Sequence, residues 1–477
     1  MNKPILLTGI LAMIMAGTQA KVRLPHLLGD GMILQQQTDA RLWGWDQPGK
    51  TIRVSPSWTS RKYTVRTGKD GKWQLTVRTP PASYTPHSIT FDDGESTTLK
   101  DILSGEVWVC AGQSNMEITL KGFNNCPVKG YNQAVLGALH HQGIHYVKIP
   151  SVMSMKPLDD ADCIWKTITP STVGDCSAVG YFFARLISKT LNEPVGLIMA
   201  NKGGTRVESW LDADNLKRYT SESLDSMTNV RKYERNDYLR PLVWGNGTFC
   251  PILNYTVKGI LYYQGCSNVG DPSGQYAKRL EILVSQWRRD FRLGDIPFYY
   301  VQIAPYFYGD KKGDAGARLR EDQWKASKVI RDCGLVCTDD CVYPYESQQI
   351  HPCQKKPVGE RLALQALNKT YGIKALWCES PEFKDLKISH DTCYIHLQND
   401  YGAISRYEDL EGFEIAGADK IFHQAHASYY WTKGIILTCP EVKNPVAVRY
   451  AFRNWGYGNV KNRALLPLFP FRTDNWE

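Results

Sequence analysis

Long apolar runs are nearly absent from this 477-residue sequence. Past the first twenty residues, no segment approaches the roughly 20 residues a helix needs to cross a bilayer, so no membrane span is expected. Runs of basic residues are missing too. No five consecutive positions are Lys or Arg, and the formal charge is only +9, which gives no support to a nucleic-acid partner. There is no internal repeat and no low-complexity tract, and with 43% hydrophobic residues disordered and fibrous classes are excluded. A zinc-type cysteine spacing is also lacking. Among the thirteen cysteines, Cys333, Cys337, Cys341 and Cys353 stand closest together, but C-x3-C-x3-C matches no common zinc pattern. Disulfides or free buried thiols are the expectation, and an odd number cannot all pair within one chain. His140, His141 and His145 have no carboxylate or third ligand in register, so they read as solvated surface histidines and no metal site is assigned.

What is present begins with residues 1–20: Lys3, the apolar stretch Ile5 to Ala16, then Thr18-Gln19-Ala20 with small residues at the −3 and −1 positions. This reads as a secretory signal peptide cleaved after Ala20, which places the protein in the periplasm or outside the cell. Residues 21–98 show short alternating runs, such as Thr51-Ile-Arg-Val54 and Trp73-Gln-Leu-Thr-Val77, separated by turn residues including Asp70-Gly71. They predict a small antiparallel β-sandwich. Residues 99–370 change character. Apolar β-branched runs (Glu106 to Cys110, Val195 to Met199, Gly259 to Tyr263, Phe298 to Gln302) alternate with helix-like segments, the pattern of a parallel sheet with crossover helices. A polar excursion at about 212–244 reads as a helical insertion. Residues 371–477 return to short alternating strands and predict a second β unit. In its Tyr429-Tyr430-Trp431, packing against the core is weighed against a platform for a sugar.

The chemistry concentrates in four segments. Val107-Trp-Val-Cys-Ala-Gly-Gln-Ser-Asn-Met-Glu117 places Ser114 directly after an apolar strand at a glycine-bearing turn, where backbone N–H groups can receive an oxyanion. A post-strand Gly-x-Ser taken alone is usually an ordinary turn. Ile198-Met-Ala-Asn-Lys-Gly-Gly-Thr-Arg-Val-Glu-Ser-Trp210 adds a glycine pair after a second strand, and Leu261-Tyr-Tyr-Gln-Gly-Cys-Ser-Asn268 adds glycine and amides after a third. Ile350-His-Pro352 then precedes a helix start at Val358 that would hold His351 at the rim. A serine, two sources of amide donors and a late histidine make an acyl-transfer site.

These motifs, in this order, resemble those of the sialate O-acetylesterase family within the SGNH hydrolases, and the resemblance runs from Leu24 to the C-terminal Pro470-Phe-Arg-Thr-Asp-Asn-Trp. It implies an α/β fold, a three-layer α/β/α core with a parallel sheet flanked by N- and C-terminal antiparallel β-sandwich units. It further implies a serine carboxylic-ester hydrolase with Ser114 as nucleophile and His351 as general base. The oxyanion hole would be formed by the N–H of Ser114, that of Gly204 (with Gly203 the neighbouring alternative) and the amide of Asn268. No metal or organic cofactor is needed. The implied substrate is an O-acetylated sialic acid, with the 9-O-acetyl ester foremost. Acetyl xylan or another acetylated glycan is the alternative, and a catalytically weakened glycan-binding protein is a second. Gln113, Gln264 and Arg206 are candidate substrate-binding residues, Arg206 for a substrate carboxylate or for a structural ion pair. Two positions depart from the family pattern. Gln348 stands three residues before His351, where an acid is common, leaving Asp340, Glu346 or no acid at all to orient the ring. Cys266 stands where the family commonly has Glu, and reads as a buried thiol.

Overall fold

The computed structural model describes residues 21–140, 143–218 and 223–476. The expected signal peptide and His141 lie outside the described residues. The central sheet has seven strands, numbered here in chain order: β1 (Ser96–Gly112), β2 (Ile144–Lys148), β3 (Trp165–Thr167), β4 (Val195–Asn201), β5 (Gly259–Tyr263), β6 (Phe298–Val301) and β7 (Cys333–Val336). Their spatial order is β7-β6-β5-β1-β4-β2-β3. Every neighbouring pair is parallel except β2 with β3. The strands are β-branched and aromatic because they are covered on both faces, and the period of two sorts their side chains cleanly. Val107, Val109 and Ala111 of β1, with Ile198 and Tyr262 of its neighbours, join one buried core. Trp108 and Cys110, with Leu197, Met199, Leu261 and Tyr263, join the other.

Helices cover both faces. α2 (Ala178–Leu191) packs against α5 (Lys356–Lys369) on the Trp108 face, and α3 (Gln275–Phe291) against α4 (Ala315–Val329) on the Val107 face. Local sequence sets their ends. The Ser177 hydroxyl caps α2 by accepting the Gly180 N–H, and Asn192 closes the helix in the left-handed region at φ 57°. A four-residue helix, α1 (Ser114–Glu117), follows β1 directly. This is the α/β/α core that the alternation of strand and helix patterns predicted.

The flanking units are antiparallel except where Ile33–Gln35 runs parallel to Leu103–Gly105 of β1. β1 is 17 residues long. Its first half pairs with Ser83–Asp92 of the N-terminal β unit and its second half enters the central sheet, so one strand runs unbroken across the boundary expected between residues 98 and 99. The C-terminal unit is two four-stranded sheets around their own core, including Ile395, Phe413, Ile435 and Tyr450. On its strand His426–Tyr430, Tyr429 packs against that core, whereas Tyr430 and Trp431 are exposed. The described residues of the insertion at 212–244 form short turns of helix.

One expectation is narrowed and one is corrected. All thirteen cysteines are unbridged, which leaves the free-thiol alternative, and the sandwiches are held by apolar burial. His145 is a core residue and not a surface one: it lies in β2, only 5% exposed, with Nδ1 against the Gly31 carbonyl at 2.6 Å and Nε2 at 3.2 Å from the Thr167 hydroxyl. Its strand has covered faces, and both ring nitrogens are satisfied by neighbouring segments.

Trp108 shows how the core carries the sheet. It is fully buried, lies edge-on to Phe183 and stacked on Tyr299, and donates its indole N–H to the Tyr371 hydroxyl at 3.0 Å. Trp108→Ala is expected to cost about 3–5 kcal/mol in denaturant unfolding, through the cavity it leaves, while the Tyr371 hydroxyl keeps its bond to Glu106 at 2.7 Å.

Candidate active site

β1 ends at Gly112, whose φ of +125° belongs to the region glycine tolerates, and where a Cβ would lie 2.4 Å from the Tyr263 carbonyl oxygen of β5. That close approach lets the Gln113 N–H donate to the same carbonyl at 2.8 Å and turns the chain out of the sheet. Ser114 is thereby set at the first position of α1, partly exposed, above the carboxyl ends of the strands. His351 arrives from a loop 237 residues later, and its Nε2 lies 2.8 Å from the Ser114 Oγ. The loop carrying it is pinned beneath. Asn115 donates to the Ile350 carbonyl at 3.0 Å, and the buried Lys355 donates to Asn115 Oδ1 at 2.5 Å. Burial, with a smaller contribution from the Lys355 ammonium, pushes the His351 imidazole down to about 4. The ring is therefore neutral, and able to accept a proton, across the whole ordinary pH range.

Ser114 is the first residue of its helix, so its N–H has no intrahelical acceptor, and it finds no other partner among the described residues. The glycine pair after β4 separates into two roles. Gly203 donates its N–H to Glu117 Oε2 at 2.6 Å and is committed. Gly204, at φ +77°, keeps its N–H without a partner among the described residues. A Cβ at Gly203 would lie 3.4 Å from that of Ser114, so this turn abuts the serine. The Gly204 peptide is held by a short chain of bonds: Gln113 Nε2 donates to Ser267 Oγ at 2.8 Å, and that hydroxyl donates to the Gly204 carbonyl at 2.7 Å.

Other expected residues serve elsewhere. Asn268 is fully buried with both amide hydrogens committed, to Glu208 at 3.0 Å and to Asp271 at 2.9 Å, while its Oδ1 accepts from Val207 N–H and Gln264 Nε2. Two carboxylates accept only, so the amide orientation is fixed, and it offers no free donor to an oxyanion. Gln264 is 1% exposed and spends its amide on the Thr205 carbonyl, Asn268 and the hydroxyls of Tyr262 and Tyr276. Gln113 is spent on Ser267 and on the Gly265 N–H. Both glutamines brace the loops beneath the site and do not face a substrate. Arg206 forms ion pairs with Asp271 at 2.6 Å and Glu208 at 3.5 Å in a cluster shared with Arg279, so its charge is already matched.

Neither candidate acid reaches the histidine. Asp340 is held by a two-pronged pair with Arg361 (2.7 and 2.8 Å) and by Lys461. Burial pushes its carboxyl up, but these cations together pull it below the usual carboxylate range. Glu346 closes its own loop by accepting the Tyr343 and Cys353 N–H groups. Gln348 is exposed and makes no hydrogen bond to the ring. Among the described residues, no carboxylate forms a hydrogen bond or ion pair with the imidazole. Cys266 is partly buried beside Lys355, Asn115 and Tyr308, and desolvation there pushes its thiol up. Among the described residues the ammonium of Lys355 has no carboxylate salt-bridge partner, and burial pushes it down to about 8.

Three neighbours of the pair escaped the sequence reading. Phe123 lies edge-on to the His351 ring at 5.3 Å, Cys126 lies 3.6 Å from its Nδ1, and the Tyr238 ring packs against Gly204 where a Cβ would sit. All three come from segments without a recognisable motif, Tyr238 from the insertion at 212–244. Glu117, by contrast, stands inside the Ser114 motif, where an acid three residues into a helix start was visible.

Comparison with known proteins follows the same outline. The family profile described as carbohydrate esterase, sialic acid-specific acetylesterase, matches residues 104–368. Mouse sialate O-acetylesterase is 26% identical over 494 residues, covering 91% of this chain and 90% of its own, and the human protein of that name is 27% identical, covering 75% and 73%. A carbohydrate acetylesterase from Xanthomonas citri, solved by crystallography, superposes with a TM-score of 0.85 at 31% identity, covering 96% of this chain and 100% of its own.

Two outcomes are expected. Because burial favours the neutral ring, kcat/KM should hold its plateau through pH 6.5 and fall only on acidification towards about 4, as measured by a pH-rate profile. Ser267→Ala should lower kcat between roughly tenfold and a hundredfold with the fold intact by circular dichroism, since it frees the Gly204 turn without touching Ser114.

Proposed function

Because the chain belongs to the sialic acid-specific acetylesterase family of carbohydrate esterases, we propose that this ester hydrolase removes O-acetyl groups from sialic acids by a Ser-His acyl-enzyme mechanism, foremost the 9-O-acetyl ester. The 2.8 Å contact between Ser114 Oγ and His351 Nε2 is the observation that carries the mechanism. In the first half-reaction Ser114 Oγ attacks the acetyl carbonyl carbon as its proton passes to His351 Nε2. The N–H groups of Ser114 and Gly204 receive the oxyanion, and His351 returns the proton to the departing sugar oxygen. In the second, a water gives its proton to His351 as it attacks the acetyl-Ser114 carbonyl; the intermediate then expels Ser114 Oγ, which takes that proton back from His351, and acetate is released. The partly exposed Phe123 and Tyr238 offer aromatic faces to a sugar ring beside the reacting ester. Export to the periplasm or cell exterior, read from residues 1–20, agrees with a glycan substrate.

Acetate release by the purified protein from 9-O-acetylated sialic acid, with acetylated xylan in parallel, tests the substrate. Release from the sialic acid, abolished by Ser114→Ala at unchanged thermal stability, is expected. Release from xylan alone would keep the mechanism and replace the substrate. Undiminished release by Ser114→Ala would overturn the mechanism.

A further inference from the structure

The Nδ1 side of His351 is the unresolved half of the site. For Nε2 to accept the Ser114 hydroxyl proton, the neutral ring must carry its hydrogen on Nδ1, and something must hold it there. In hydrolases with a triad a carboxylate does this. Here the group facing Nδ1 is the thiol of Cys126, with Sγ at 3.6 Å from Nδ1 and 3.4 Å from Gln349 Oε1. Gln349 Oε1 also accepts the His351 backbone N–H at 3.1 Å.

The directions of these bonds follow once Nε2 is the base. Nδ1 then carries the hydrogen and Oε1 only accepts, so the Cys126 S–H points to Oε1 and the sulfur lone pairs accept Nδ1–H. The result is one oriented chain: Ser114 O–H to Nε2, Nδ1–H to Sγ, and S–H to Gln349 Oε1. Gln349 is set the right way round because its own amide donates to the Asn125 carbonyl at 3.4 Å. The reverse tautomer would put a bare nitrogen on Nδ1 and an N–H against the serine, losing the base.

The surroundings hold Cys126 in place for this. Phe123 and Cys126 exchange backbone hydrogen bonds at 3.0 and 3.1 Å, closing a tight turn. That turn presents Phe123 edge-on to the imidazole and Cys126 at its Nδ1. Three residues on, the Lys129 N–H donates to the Cys353 carbonyl at 3.0 Å, tying the turn to the histidine loop. The other groups facing the ring are Ser114 and the Lys355 ammonium, and neither can accept from Nδ1–H.

We infer that Cys126, backed by Gln349, is the positioning residue of the acyl-transfer site: a neutral thiol in the place of the orienting acid, fixing the His351 tautomer without supplying charge. No negative charge is stored beside the ring in the resting state, so the imidazolium formed during attack is held by a weak N–H to sulfur contact. The inference rests on the Ser-His reading, and Ser114→Ala is measured alongside so that failure of that reading is seen separately.

The test compares Cys126→Ala, Cys126→Ser and Cys126→Asp by kcat, KM, pH profile and thermal midpoint on an aryl acetate. Cys126→Ala should lose about tenfold or more in kcat at unchanged KM, a share of the 10²–10⁴ that general-base catalysis supplies. Cys126→Ser, which keeps a hydroxyl that both accepts and donates, should recover most of it. Cys126→Asp should retain kcat and move the acid limb of kcat/KM up by about one pH unit or more, because a carboxylate at Nδ1 favours the imidazolium. Wild-type kcat in Cys126→Ala would overturn the inference. So would a loss that neither Ser nor Asp repairs, or an acid limb that Asp leaves unmoved.

Discussion

The structure turns on one hydrogen bond, between a serine at the end of the central strand and a histidine 237 residues further along the chain, 2.8 Å apart. Neither residue has an intrinsic reason to meet the other. Bringing them together requires a sheet that fixes Ser114 and a loop that must not drift. The parallel strands meet the first requirement by burying both faces, and Gly112 lets the chain leave the sheet at the needed angle. Asn115 meets the second by gripping the Ile350 carbonyl one residue before the histidine. The helix that presents the serine therefore also holds the base, and the distance between them is set over a few covalent bonds despite their separation in sequence.

Around this pair most polar side chains are already spent. Gln113, Gln264, Asn268, Ser267 and Glu117 bond to one another or to the three loops beneath Ser114. A buried amide with all partners satisfied does not reorient at low cost, so the loops behave as one rigid cradle. Among the described residues, the N–H groups of Ser114 and Gly204 are left unpaired. Negative charge is kept away from the ring. Asp340 and Glu346 are neutralised or consumed locally, Lys355 lies beneath with its ammonium weakened by burial, and the Nδ1 side faces a thiol. The base is thereby kept neutral to low pH, in exchange for weaker stabilisation of the imidazolium.

The layers of the fold were legible because period-two apolar runs and helical segments alternate with little ambiguity, and Ser114 and His351 were legible because short motifs fix them. The roles of the surrounding amides were not. A motif records that Asn268 and Gln264 are present, but not whether they face the substrate or the loops, since that depends on how Glu208, Asp271 and Tyr276 are placed around them. The orienting group was missed for a related reason: a search within a few residues of His351 finds acids, whereas Cys126 comes from a turn that only the tertiary fold brings to Nδ1. His145 was misjudged because its exposure is decided by Gly31 and Thr167, which strand pairing supplies and local polarity does not reveal.

The central claim, that the acetyl group passes through Ser114 with His351 as base, is tested most directly by rapid-quench mass spectrometry of the protein turning over an aryl acetate. The account predicts a transient gain of one acetyl group, mapped to the peptide containing Ser114, that fails to form in His351→Ala. Turnover with no acetylated peptide, or acetylation mapped to Cys266 or any residue other than Ser114, would contradict it.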